Sequence, residues 1–340
     1  MIGSYPRDLV GYGAQPPDPR WPGGARVAVN FVINVEEGGE HCILHGDSHS
    51  ESHLSETPTQ PLMGQRNLII ESFFEYGSRA GFWRLMRLFA ERRLHFTAFA
   101  IGMAIERTPD AARAMVEAGH EVATHGYRWI DYQHLPPEVE REHIRRTVAI
   151  HEAVLGERPL GFYQGRCSVN SRRLCVEEGG FLYDADSYAD DLPYWCLEYG
   201  RPHLVVPYTS DANDMKFQTT TGSFSCGDQF FNYLKDSFDC LYAEGETAPK
   251  MMSVALHTRI IGRPGRVQSL ARFLDYILSH DRVWVARRVD IARHWIAHHP
   301  PDAAAAGETL SRSASTPAAR RRPQAALRAR AARNSARSRG

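Results

Sequence analysis

The sequence is short of lysine, of paired cysteines and of long apolar runs. Lysine occurs only at Lys216, Lys235 and Lys250, so arginine carries nearly all the positive charge. That skew runs through the whole chain and marks a coding bias rather than a selected basic motif. Six cysteines, at 42, 167, 175, 196, 226 and 240, include no CxxC pair. A chain this long needs no disulfide staples, so reduced thiols are expected. The apolar stretches 27–35 and 251–256 are of strand length, well below the ~20 residues of a membrane span. The opening MIGSYPRDLVGYG lacks an apolar leader core, and a cytoplasmic protein is the expectation. No GxGxxG follows the first strand and no GxSxG occurs, which counts against a dinucleotide fold and a serine nucleophile.

What is present divides unevenly. The formal charge is zero. Residues 301–340 hold nine arginines and two acids, a net of +7, and residues 1–300 hold 31 basic and 38 acidic groups, a net of −7. An acidic body argues against nucleic-acid binding by that body. Residues 1–24, with PPDPRWPGG, read as an extended arm without a core of its own. Residues 25–299 read as one catalytic domain. The Ala/Arg/Ser/Pro mixture of 300–340 holds almost no apolar residue and is expected to be disordered.

Within the body, strand and helix patterns alternate about seven times. Strands are predicted at 26–35, 96–102, 121–126, 159–165, 181–188, 203–209, 251–258 and 283–287. Helices are predicted at 78–93, 109–119, 136–156, 171–180, 228–245, 267–280 and 289–299. Such alternation implies an α/β protein with a parallel sheet, here a closed or nearly closed barrel.

Barrel enzymes gather reactive side chains at the C-terminal ends of strands. Those ends carry Glu36 and Glu37, then His125, then Arg166, then Asp184 and Asp186, then His257 with Arg259. Five strand ends in agreement point to one shared site. A glutamate there can take a proton from water, and His257 or His125 can protonate a leaving nitrogen. Arg166 and Arg259 can hold a carbonyl-rich substrate and its developing oxyanion. Trp129, Tyr163 and Trp195 are candidate pocket walls. Cys167 has no activating base placed by the sequence, which disfavours a thiolate nucleophile. His41, His45, His49 and His53 recur every four residues, but Gly46, Asp47, Ser48 and Ser50 argue for a surface loop rather than a helical metal stripe.

The segments INVEEGGE, EVATHGYRWIDY, GFYQGRCSVNSRRL, YDADSYADDLPYW and LHTRIIGRPGR resemble the PuuE-type allantoinases, a branch of the NodB-type polysaccharide deacetylase superfamily. The resemblance runs from about Tyr5 to Trp295. It implies a distorted (β/α)7 barrel, hydrolysis of the ring of (S)-allantoin to allantoate, and a homotetramer. Deacetylases of the wider superfamily carry an Asp pair where this chain has Glu36 and Glu37. They also carry an HxxxH metal motif where it has His125 and Trp129. Indole N–H only donates and cannot ligate a metal. The resemblance therefore implies no cofactor. A zinc ion held by His125, His257 and a glutamate is the alternative. Other functional readings are hydrolysis of another cyclic imide or ureide, N-deacetylation of an amino-sugar polymer, and an inactive barrel used for binding.

Overall fold

β1 (Val27–Val35) is buried along its whole length, as suits a central strand of a parallel sheet covered on both faces. The computed structural model describes residues 7–57, 59–219 and 223–301. The reading of a disordered tail falls almost wholly outside them. In chain order the further strands are β2 (Thr97–Ala100), β3 (Glu121–Thr124), β4 (Gly161–Phe162), β5 (Tyr183–Asp184), β6 (Tyr194–Cys196), β7 (His203–Val205), β8 (Lys250–His257) and β9 (Val283–Val285). They make one sheet in the order β6-β7-β5-β4-β3-β2-β1-β8, with β9 beside β1. The pairings are parallel except that of β6 with β7. Irregular backbone bridges the gap towards β8: Met251 N donates to Asp191 O and Ala255 N to Ala212 O, each at 2.9 Å. The result is a distorted, incompletely closed β/α barrel, in line with the alternation in the sequence.

The helices are α1 (Leu68–Tyr76), α2 (Phe82–Glu91), α3 (Gly102–Arg107), α4 (Pro109–Glu117), α5 (Pro137–Leu155), α6 (Ser171–Glu178), α7 (Gly227–Glu244), α8 (Pro264–Leu278) and α9 (Arg288–His298). Proline opens α4, α5 and α8, where its missing N–H costs nothing. The single helix expected over 78–93 is instead α1, a π-helical turn (Gly77–Gly81) and α2. α3 and β6 are too short to show a period, and neither is expected from the sequence. The strands expected at 159–165 and 181–188 keep only two residues of ladder each. The chain leaves the sheet there because the Asp184 and Asp186 carboxylates take the amides of Asp186, Gln164 and Gly165.

Alternation along the strands sorts two cores and points at the site. On β1, Val27, Val29, Phe31, Ile33 and Val35 pack with the helical layer, whereas Ala28 and Val32 join the inner cluster. The next positions on that inner parity are Asn34 and Glu36. On β8 the inner parity carries Met251, Ala255 and then His257. On β3 it carries Ala123 and then His125. Three strands therefore hand an inward-facing polar residue to the same end of the barrel. The arm before β1 does not stand apart. Trp21 is buried against Trp284 and Trp295, and its Nε1 donates to Lys250 O at 2.9 Å.

Candidate active site

Glu36 sits at the centre of the inward-facing end. Its Oε1 lies 3.3 Å from His125 Nε2 and 3.5 Å from His257 Nε2. Its Oε2 lies 2.7 Å from Arg259 Nη1, an ion pair off the direction of a hydrogen bond. Glu36 and Arg259 are each 1% exposed, and His257 is 4% exposed. Burial opposes charge on Glu36, but Arg259 and His257 together with the imidazole contacts overcome it. They hold the carboxyl well below the usual carboxylate range. Glu37 goes the other way. Burial pushes it up against the pull of Arg259, and it takes a hydrogen bond from Thr258 Oγ1. Two adjacent glutamates thus hold opposite protonation tendencies.

Behind His257 stands a residue that sequence reasoning did not find. Asp214, fully buried, accepts from His257 Nδ1 at 2.6 Å, from His257 N at 2.7 Å and from Ile261 N at 3.0 Å. It fixes the imidazole with Nδ1–H towards Asp214 and Nε2 towards Glu36. Burial disfavours the imidazolium, but the Glu36 and Asp214 carboxylates outweigh burial and raise His257 to about 9. Asp214 belongs to a short 3-10 turn capped by the Asn213 side chain, in a stretch with neither helical nor strand period. The capping pattern Asn-Asp was the available signal, and it names a turn, not a partner.

Local backbone explains how the pair of glutamates fits. The π-helical turn brings Gly77 against Glu37. A Cβ at Gly77 would collide with the Glu37 carboxylate and with Thr258 Oγ1. π-Turns inserted between helices often mark functional sites. Arg259 lies between Phe74 and Trp129, with its guanidinium carbon 4.3 and 4.9 Å from the two ring centres. Its Nε donates to Leu54 O at 3.3 Å. Arg166 covers Trp129 at 4.2 Å. The Nη2 atoms of Arg166 and Arg259 and the Nδ1 of His125 are buried without a hydrogen-bond partner among the described residues.

The residues nominated from sequence therefore divide. Glu36, Glu37, His125, His257, Arg259, Trp129 and Arg166 come together. Tyr163 stands beside His125, with ring centres 4.8 Å apart. Asp186 holds the turn that presents Arg166, accepting from Gln164 N and Gly165 N at 2.8 Å each; burial and neighbouring Asp184 raise it to about 7. Asp184 and Trp195 are not part of the cluster. Asp184 is the outward residue of β5 and is bound by Arg172 at 2.8 and 3.1 Å and by His203 at 3.2 Å. Trp195 lies on antiparallel β6 and donates to His299 O at 2.7 Å. Cys167 is pushed up to about 11 by burial, and all six cysteines are free. Among the described residues no group of three His, Cys, Asp or Glu is arranged to hold a metal ion.

The polysaccharide deacetylase family profile matches residues 66–176. A polysaccharide deacetylase-named protein of Schizosaccharomyces pombe is 44% identical over 314 residues, 86% of this chain and 98% of its own. The chain belongs to the polysaccharide deacetylase family. Among solved structures, the crystal structure of a PuuE allantoinase is 58% identical, covers 88% of this chain and 99% of its own, and superposes with a TM-score of 0.86. A Pseudomonas aeruginosa chain described as a probable polysaccharide deacetylase is 57% identical over 88% of this chain and all of its own, also at 0.86. With such relatives the chain is a hydrolase of carbon–nitrogen bonds. No helix of the described residues is long and apolar enough to cross a membrane.

The divalent ion of the wider family finds no matching ligand set here. Trp129 stands where a second histidine would ligate, and indole offers no lone pair in the ring plane. Two guanidinium groups lie on that indole, and one of them already occupies Glu36 Oε2. A dication would sit among fixed cations, and the described His, Cys, Asp and Glu side chains include no three arranged to hold it, so these residues do not fit it.

Proposed function

We propose that this chain is an allantoinase, opening the cyclic amide of (S)-allantoin to allantoate without a metal ion. The observation that carries the reading is the Glu36 cluster. One ionised carboxylate faces two imidazole Nε2 atoms, beside guanidinium N–H groups that have no hydrogen-bond partner among the described residues. Glu36 takes a proton from the attacking water. The water oxygen bonds to the ring carbonyl carbon, and the carbonyl oxygen becomes the oxyanion. Arg166 and Arg259 donate to that oxyanion. His257, a cation at neutral pH, gives its Nε2 proton to the departing ring nitrogen as the C–N bond breaks. His125 orients Glu36 and the water.

Glu36 starts with low basicity because Arg259 and His257 both stabilise its charge. When the oxyanion and the leaving nitrogen draw on those same partners, Glu36 loses stabilisation and becomes the stronger base. Glu37, raised by burial and turned to Thr258, supports the floor of the site. Trp129 and Tyr163 wall it. The ligand is small, flat and rich in carbonyls, which suits a pocket of convergent polar groups. We also propose a homo-oligomer, a tetramer by resemblance. Exposed Leu44, Leu62, Met63, Leu68 and Ile69 supply apolar surface for it.

The test offers allantoin, dihydropyrimidines, succinimide and N-acetylglucosamine oligomers side by side. Formation of allantoate from allantoin, with little release of acetate from the oligomers, is expected. Turnover of the oligomers or of another ring, with none of allantoin, contradicts the reading.

A further inference from the structure

The four-histidine segment is unused by this chemistry, and its members do different things. His41 and His49 lie ring to ring at 4.5 Å, and His45 Nδ1 pairs with Glu40 O at 2.9 Å. His53 alone reaches the site. Its imidazole stacks on Trp129, with ring centres 5.8 Å apart and planes inclined by 22°. The backbone around it is clamped. The Glu51 carboxylate accepts from Ser52 N and His53 N at 2.8 Å each, and Leu54 O accepts from Arg259. Leu54 itself is held in the left-handed region at φ 49°, an unfavoured conformation for leucine.

Glu36, His257 and Arg259 are buried, and Arg259 touches this segment at Leu54 O. A flat substrate cannot slip between His53 and Trp129, since two stacking contacts need about 7 Å. Trp129, Phe74 and Leu54 are buried, whereas His53 is exposed. Imidazole is a planar five-membered ring with two nitrogens, the size and outline of a hydantoin ring. It lacks the carbonyl oxygens that the free Nη2 of Arg166, over the same indole, would bind.

We propose that the His53 side chain is a place-holder for the substrate ring: it occupies the Trp129 platform in the free enzyme and swings off when a five-membered cyclic ureide binds. The ring's identity rests on the function proposed above; the displacement does not. The place-holder competes with the substrate ring for Trp129. It lowers apparent affinity by the fraction of molecules in which the platform is covered.

The experiment uses the full chain as wild type, His53→Ala and His53→Phe, with free imidazole as the probe. Imidazole binding is read by quenching of tryptophan fluorescence, with Trp129→Phe as the background. In His53→Ala, KM for allantoin should fall about three- to tenfold with kcat nearly unchanged, because the covered fraction is abolished. Free imidazole should bind this variant more tightly than wild type by the same factor of about three to ten, and compete with substrate. His53→Phe, which keeps a ring on the platform, should not bind imidazole better than wild type. A rise in KM for His53→Ala, or equal imidazole affinity in the three proteins, overturns the place-holder. If no variant hydrolyses allantoin while imidazole binds only His53→Ala, the ureide reading fails and the place-holder stands.

Discussion

Arg259 and Arg288 are two buried guanidinium groups on the inner side of one barrel, 1% and 0% exposed. Each lies against aromatic rings. Arg288, at the start of α9, donates four hydrogen bonds through its two Nη atoms. Nη1 donates to Asn30 Oδ1 and Ser253 Oγ at 2.9 Å, and Nη2 to Val206 O and Pro207 O. Its Nε lacks a partner among the described residues. Nearby Glu121 is likewise engaged, accepting from Thr97, Tyr183 and Val289 N. Arg259 sits past the strand ends, roughly 20 Å along β1 from Asn30. Among the described residues it makes one hydrogen bond and one close ion pair, and its Nη2 has no hydrogen-bond partner. Buried charge with its valences filled ties the barrel together. Buried charge with valences left open waits for a ligand.

The largest expected effect sharpens that contrast within the glutamate pair. Glu36→Gln should lower kcat at least about 100-fold, in the range of a lost general base, while Glu37→Gln should cost about tenfold or less. Equal losses would erase the distinction between the two carboxylates. Next come the arginines. Arg259→Met should reduce kcat about 100-fold, as loss of an oxyanion donor does, with a smaller fall in Tm than Arg288→Met. Arg288→Met should instead destabilise the fold by about 3–5 kcal/mol, leaving the folded fraction active. Reversal of these outcomes in thermal melts and initial rates would break the comparison.

A smaller effect is carried by pH. His257 rises from its ordinary 6.5 to about 9 in the folded protein. Its acid form, and the stability it contributes, are complete below 6.5 and lost as pH rises through about 9. Activity should therefore decline above about pH 9. Asp214→Asn removes one of the two carboxylates behind that rise, so the upper limb should move to lower pH and kcat should fall about tenfold or more. An unmoved limb would mean that His257 is not the titrating acid. Glu36 works in the opposite sense, since its carboxyl is lowered. Its stabilisation is present above the usual glutamate value and is lost as pH falls through the folded value. The smallest effect is expected from removing residues 302–340. They carry a net charge of +7 and lie beyond α9, so kcat should be unchanged.

The reactive end was legible because strands announce where they stop. Glu36, His125 and His257 follow apolar runs, and a barrel must bring those ends together. Parity was harder to read. Asp184 looks like a strand-end acid, yet it is outward on β5 and is consumed by Arg172. Trp195 looks like a pocket wall, yet it belongs to an antiparallel edge strand of three residues. Asp214 was hidden because its link to His257 spans 43 residues of sequence and lies in an aperiodic stretch. The histidine-rich segment is a loop, as Gly46 and its polar neighbours imply. That His53 alone turns in to Trp129 is a tertiary fact with no local signal.

One measurement bears on the central claim most directly: the rate of allantoin hydrolysis by the full chain before and after exhaustive dialysis against a chelator. The account predicts allantoate formation at the same rate in both preparations. Loss of turnover on chelation, restored by a divalent ion, would contradict it.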